Sequence, residues 1–135
     1  MERSIPCIML IDDDVATTVY NEIIIEDAGC VKEVISMNSA EEALVYLDTA
    51  NHTKPNLILL DINMPTMDGW EFLEEFKQLH TDPDSKKPII FMLSTSLDKN
   101  EALRVKNHLL LKGIKNKPLT VEIVEEIRDI YFANV

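Results

Sequence analysis

Leu57-Ile-Leu-Leu-Asp61-Ile-Asn-Met-Pro65-Thr-Met-Asp68-Gly69 carries the architecture of this chain in miniature. The run Asn56–Leu60 has the length and apolar composition of a parallel strand covered on both faces, and it stops on a carboxylate, Asp61. Asp68-Gly69 supplies turn and helix-start chemistry. An apolar stripe at helical spacing follows, Phe72, Leu73, Phe76 and Leu79, with Trp70 expected to pack beside it.

The same alternation extends in both directions. Strand-like runs fall at Ile5–Ile11, Val31–Met37, Pro88–Leu93 and, less cleanly, Leu111–Asn116, which gives five strands with the one above. Between them, Val15, Val19 and Ile23 begin a helix that closes at Ala28-Gly29, and Ala40, Ala43, Leu44 and Leu47 mark a second. Leu97–Leu110 holds the least distinct helix, and Ile123, Val124, Ile127, Ile130 and Tyr131 mark the clearest. Ser39 with Glu42, and Asp98 with Glu101, have capping-box spacing, and Thr120 is a natural N-cap. Strands alternating with helices predict an α/β fold around a five-stranded parallel sheet, within one domain over residues 1–135. His80–Lys87 is expected to be a surface loop, and no output domain is expected after the last helix.

Composition narrows the function classes. With 46% hydrophobic and 27% charged residues, and no apolar run long enough to span a bilayer, the chain is expected to act away from membranes. Nothing at its start resembles an export signal, so the cytoplasm is the expected setting. A net charge of −11 without clustered Lys and Arg argues against direct contact with nucleic acid. Cys7 and Cys30 are expected to pack rather than pair, and His52, His80 and His108 are too scattered for a metal site. Met9, Met37 and Met92 belong to strands, while Met64 and Met67 flank the turn after Asp61.

In an open parallel sheet, ligands bind beyond the carboxyl ends of the strands, where the strand order reverses. Asp12, Asp13 and Asp14 follow the first strand, Asp61 ends the third, Ser94 the fourth, and Lys117 lies near the end of the fifth. Converging carboxylates repel each other unless a cation intervenes, and oxygen donors of this kind suit a hard divalent ion, with Mg²⁺ the natural candidate. Asp13 and Asp61 would bind it, with Asp12 as a further ligand or through water. Asp14 reads better as the start of a helix, where the dipole favours an acid. Lys117 and Ser94 would each be ordinary alone; together with the acids they offer a cation and a hydroxyl donor to an anionic group.

The quoted stretch, together with Asp12-Asp13 and Lys117-Pro118, resembles a CheY-like receiver domain of two-component response regulators over nearly the whole chain. That resemblance implies a flavodoxin-like, doubly wound sheet of strand order 2-1-3-4-5. It implies that Asp61 takes a phosphoryl group from the phosphohistidine of a sensor histidine kinase or histidine phosphotransfer protein. It also implies Mg²⁺ held by Asp13, Asp61 and the backbone carbonyl of Asn63, with Asp12 close by. Lys117 would pair with Asp61 and then with the phosphoryl oxygens, and Ser94 would move to bond the phosphate. Asn63 and Ser96 would flank the phosphate and set its lifetime. Two positions depart from the family: Ile114 stands where an aromatic ring is usual, and Thr95 where a small residue is. Aromatic-coupled signalling is therefore expected to be absent or altered, with output running through the loop after Ser94 and repacking around Ile114. A monomer or weak dimer is expected, and with no output domain expected after the last helix, the signal would pass by contact with a downstream protein, by dimerisation or by relaying the phosphoryl group.

Three other readings compete. A Mg²⁺-dependent phosphatase with an aspartyl nucleophile commonly has a second Asp two residues on, where this chain has Asn63. A flavin-binding protein of the same topology needs a Ser/Thr/Gly-rich phosphate loop after the first strand, where this chain has acids. A receiver reduced to docking is disfavoured by the intact set Asp13, Asp61, Ser94 and Lys117.

Overall fold

The computed structural model describes residues 3–49, 53–79, 87–95 and 98–134. Five strands alternate with five helices: β1 (Ile5–Ile11), α1 (Val15–Ala28), β2 (Val31–Met37), α2 (Ala40–Asp48), β3 (Leu57–Asp61), α3 (Gly69–Phe76), β4 (Ile89–Ser94), α4 (Lys99–Lys106), β5 (Leu111–Asn116) and α5 (Val121–Ala133). All strand pairs are parallel, in the order β2-β1-β3-β4-β5. The chain leaves β1 to one side for β2 and returns to the other for β3, so the order reverses between β1 and β3.

Helices cover both faces of the sheet. On one, Ile25 of α1 and Val124, Ile127 and Tyr131 of α5 pack against Ile8, Leu10, Leu59 and Phe91. On the other, Ala40 and Ala43 of α2, Phe72, Leu73 and Phe76 of α3 and Val105 of α4 pack against Met9, Ile11, Leu60 and Met92. β3 is buried at every position, which is why its sequence shows no alternation. Cys7 and Cys30 are buried free thiols, and burial pushes the Cys7 thiol up to about 11, with Glu33 adding to the shift.

The helix starts follow their capping residues. Asp14, Ser39, Asp68, Asp98 and Thr120 each accept a hydrogen bond from a backbone N–H of the first turn. Gly29 ends α1 in the left-handed region, φ 68°, where a side chain would be strained.

Two expectations change. The stripe Val15, Val19 and Ile23 faces solvent, at 63%, 49% and 52% exposure, while α1 buries Thr18, Asn21 and Ile25. The buried Thr18 hydroxyl is satisfied by the helix's own backbone, donating to the Asp14 carbonyl oxygen. The helix expected over Leu97–Leu110 is α4, Lys99–Lys106, whose single buried residue is Val105; Ser96 and Leu97 lie outside the described residues. So do His52 and most of the expected surface loop, including His80.

Candidate functional site

The carboxyl ends of β1, β3, β4 and β5 bring five of the expected residues to one edge. Asp12 and Asp13 follow β1, Asp61 and Ser94 are the last residues of β3 and β4, and Lys117 comes directly after β5. Strand pairing fixes their heights: Asp61 stands opposite Leu93, and Ser94 opposite Asn116. The Lys117 N–H donates to the Ser94 carbonyl oxygen at 2.7 Å, which ties the two strand ends together.

Oxygens of Asp12, Asp13 and Asp61 lie within 4.8 Å of one another. Lys117 Nζ reaches into the group and donates to both Asp12 Oδ2 and Asp61 Oδ1, each at 2.9 Å. The pairing with Asp61 was expected, whereas the bridge to Asp12 requires the register of β1 against β3 and is not visible in the sequence. Each oxygen of Asp12 accepts a hydrogen bond, because its Oδ1 also accepts from the Asp14 N–H at 2.9 Å. Among the described residues only Oδ1 of Asp61 is hydrogen-bonded, which leaves Oδ2 open to a reactant. Asp13 is exposed and Asp12 and Asp61 are buried, so the group has one watery side.

Electrostatics follow from this crowding. Burial raises the pKa of Asp61 above the ordinary carboxylate value; the Lys117 hydrogen bond opposes the rise, and Asp12 and Asp13 reinforce it. Burial alone would lower Lys117, but its bonds to Asp61 and Asp12 outweigh that and hold its pKa above the usual lysine value. Asp14 is held low, chiefly by the Thr17 hydroxyl, as befits a helix cap and not a ligand. Three carboxylates against one ammonium leave an excess of negative charge on hard oxygen donors, partly open to water. That donor set fits a hexacoordinate dication of the size of Mg²⁺ that keeps several waters.

The turn after β3 holds Asp61 in place. The Gly69 N–H donates to the Ile62 carbonyl oxygen at 2.8 Å, and a Cβ at Gly69 would stand 2.8 Å from the Asp61 carbonyl oxygen. Only glycine allows α3 to start this close to the strand end. Thr66 takes a left-handed conformation, φ 67°, within the same turn. Asn63 is exposed two residues beyond Asp61, and Met64 is buried.

The expected switch residues are placed unevenly. Ser94 is 2% exposed, and its hydroxyl lies 3.5 Å from Glu101 Oε2. Thr95 is exposed, Ile114 packs half-buried against the α2–α3–α4 core, and Ser96 lies outside the described residues. The contact of Glu101 escaped the sequence reading, which saw in Glu101 only a capping partner of Asp98. An open groove of about 560 Å³ is lined by Ala16, Tyr20 and Asn21 of α1 and by Thr95, Lys117 and Pro118. No helix among the described residues is long and apolar enough to cross a membrane.

Comparison with known proteins agrees with this arrangement. Residues 8–126 match the model of the response regulator receiver domain. The chain is similar to response regulator Rcp1 of Synechocystis sp., 31% identical over 100 residues, covering 71% of this chain and 66% of that protein. It therefore spans less than two thirds of the length of the curated relatives it matches. Its structure is similar to a two-component response regulator from Cytophaga hutchinsonii, with 32% identity, a TM-score of 0.88 and coverage of 98% of this chain and 100% of the other. It is also similar to one from Legionella pneumophila, with 26% identity, a TM-score of 0.79 and coverage of 95% and 98%. With its five parallel strands in the order 2-1-3-4-5 and an acidic strand edge closed by a lysine, the chain belongs to the response regulator receiver domain family, with a CheY-like fold.

Proposed function

We propose that this receiver accepts a phosphoryl group on Asp61 from the phosphohistidine of a sensor histidine kinase or a histidine phosphotransfer protein. The observation that carries the proposal is the contrast between two buried acids: both oxygens of Asp12 accept hydrogen bonds, whereas among the described residues Asp61 accepts one only at Oδ1, from Lys117. Asp61 Oδ2 forms the new O–P bond, the P–N bond to the donor imidazole breaks, and its electron pair stays on the imidazole nitrogen, which takes up a proton. A carboxylate needs no base to attack. Lys117 keeps Asp61 oriented and then has an ammonium ready for the phosphoryl oxygens, and the Ser94 hydroxyl supplies a further donor.

Asp13, Asp61 and the Asn63 carbonyl would hold Mg²⁺, with Asp12 next to it. The ion would offset the repulsion between these acids and the incoming anion. Asn63 and Ser96 would border the phosphoryl group and tune its lifetime. Thr95, bulkier than the usual residue, and Ile114, in the usual aromatic place, would shape the response. The product changes binding to a downstream protein or passes its phosphate on. We place this activity in the cytoplasm, in a monomer or weak dimer, with self-phosphorylation and its reversal as the only chemistry and without direct contact to nucleic acid or membrane.

Incubation with a small phosphodonor and Mg²⁺, read by intact mass, tests the proposal. The expected result is one phosphoryl group per chain for the wild type and none for Asp61→Asn. Equal labelling of Asp61→Asn, or labelling without a divalent ion, would overturn it.

A further inference from the structure

Two helices of this protein begin with the same spacing, an Asp cap followed three residues later by Glu, yet they use the Glu differently. At α3 the box closes both ways: Asp68 Oδ1 accepts from the Glu71 N–H at 2.9 Å, and Glu71 Oε1 accepts from the Asp68 N–H at 3.1 Å. At α4, Asp98 Oδ1 accepts from the Glu101 N–H at 2.7 Å, but the Glu101 carboxylate turns to the sheet edge, where Oε2 accepts from the Ser94 hydroxyl at 3.5 Å. That contact joins the end of β4 to the first turn of α4 across the intervening loop. At this length it is a light hold and not a clamp.

We propose that Glu101 is a positioning residue that holds Ser94 and the first turn of α4 in the unphosphorylated arrangement, and that phosphorylation of Asp61 releases it. The inference rests on the reading of Asp61 as phosphoacceptor. A serine hydroxyl has one proton to donate. Glu101 and a phosphoryl oxygen on Asp61 therefore compete for it, and the two anions also repel each other. When the phosphoryl group takes the proton, Glu101 loses its partner, and α4 loses a tie to the strand end.

The rest of α4 is built to respond. Val105 is its single buried residue, so few apolar contacts resist a shift. Arg104 lies over the ring of Trp70, 4.0 Å from its centroid, so that motion of α4 reaches the chain's one tryptophan. This route needs no aromatic ring on β5, where Ile114 stands.

The test uses the full chain, Mg²⁺ and beryllofluoride as the phosphoryl mimic, followed by Trp70 emission. Glu101→Ala should bind beryllofluoride about threefold more tightly than wild type, the effect of removing one long, weak competing contact and the charge beside it. Its emission before ligand should already be shifted toward the liganded value. Glu101→Gln, which keeps an acceptor oxygen, should fall between. In a Ser94→Ala background only the repulsion between the two anions is left to relieve, so the Glu101→Ala change should tighten binding clearly less than in the wild-type background. Equal tightening in both backgrounds would show that Glu101 acts through charge alone and overturn the inference, as would unchanged or weaker binding by Glu101→Ala. Loss of beryllofluoride binding by the wild type itself would instead overturn the phosphoacceptor reading beneath it.

Discussion

A carboxylate withdrawn from water and set beside two others is costly in its charged form, and Asp61 is in that position. Its pKa lies above that of the unfolded chain, so the folded state holds the proton more tightly. Ionised Asp61 therefore weighs against folding at neutral pH, and that penalty fades as pH falls through the raised pKa. Lys117 offsets part of the penalty but is shared with Asp12. Asp61→Asn removes the charge, keeps the shape and leaves Lys117 its bond to Asp12. In metal-free buffer at neutral pH this variant should be more stable by roughly 1 kcal/mol, a rise of about 3–5 °C in Tm. Thermal unfolding checks it, and the advantage should shrink toward acid pH. A lower Tm for the variant would mean that the Asp61–Lys117 pair outweighs the crowding.

The segment that joins α4 to β5 carries its own pH dependence. His108 Nδ1 accepts from the Leu110 N–H at 3.2 Å, and the imidazole lies 6.2 Å from the Trp70 ring. Burial lowers its pKa; Lys77 and Arg104 lower it further, and Glu74 opposes them. Below the unfolded value near 6.5 the unfolded chain binds the proton first, so the stability present above that pH is lost as pH falls. His108→Gln should thus lose less stability than wild type as pH falls from about 7.5 to 5.5, because it has no imidazole to protonate. Denaturant midpoints across that range check it, and parallel curves would refute it. Elements whose signal is local were legible in the sequence: β3 through its unbroken apolar run, α3 through Asp68-Gly69, and α5 through its stripe. Asp12, Asp13, Asp61 and Lys117 could be assembled because each ends a strand or lies within two residues after one. Where periodicity misled, the deciding forces were tertiary. α1 buries Thr18, Asn21 and Ile25 and turns Val15, Val19 and Ile23 outward, and α4 has too little buried surface to leave a clear pattern. The Glu101 contact with Ser94 was illegible because its capping spacing is satisfied by either partner.

Charge is also distributed unfavourably over the molecule, with 24 acidic against 13 basic residues and, among the described residues, three carboxylates crowded at the sheet edge. Two remedies act differently. Simple salt screens every exposed pair and should stabilise the fold modestly wherever the acids lie. A dication held by Asp13 and Asp61, with Asp12 next to it, would act only through that site, and would stabilise by mass action because the unfolded chain cannot assemble the carboxylates. Mg²⁺ at about ten times its Kd should therefore add about 1.4 kcal/mol beyond NaCl of equal ionic strength, a further rise of roughly 4 °C in Tm. Asp13 is the member to remove, because it is exposed, makes no hydrogen bond among the described residues and so contributes little to the apo fold. In Asp13→Asn the NaCl response should persist while most of the extra Mg²⁺ response disappears. If Mg²⁺ and matched NaCl raised Tm equally in the wild type, or if Asp13→Asn retained the full difference, the acids would be a crowded surface and not a metal site.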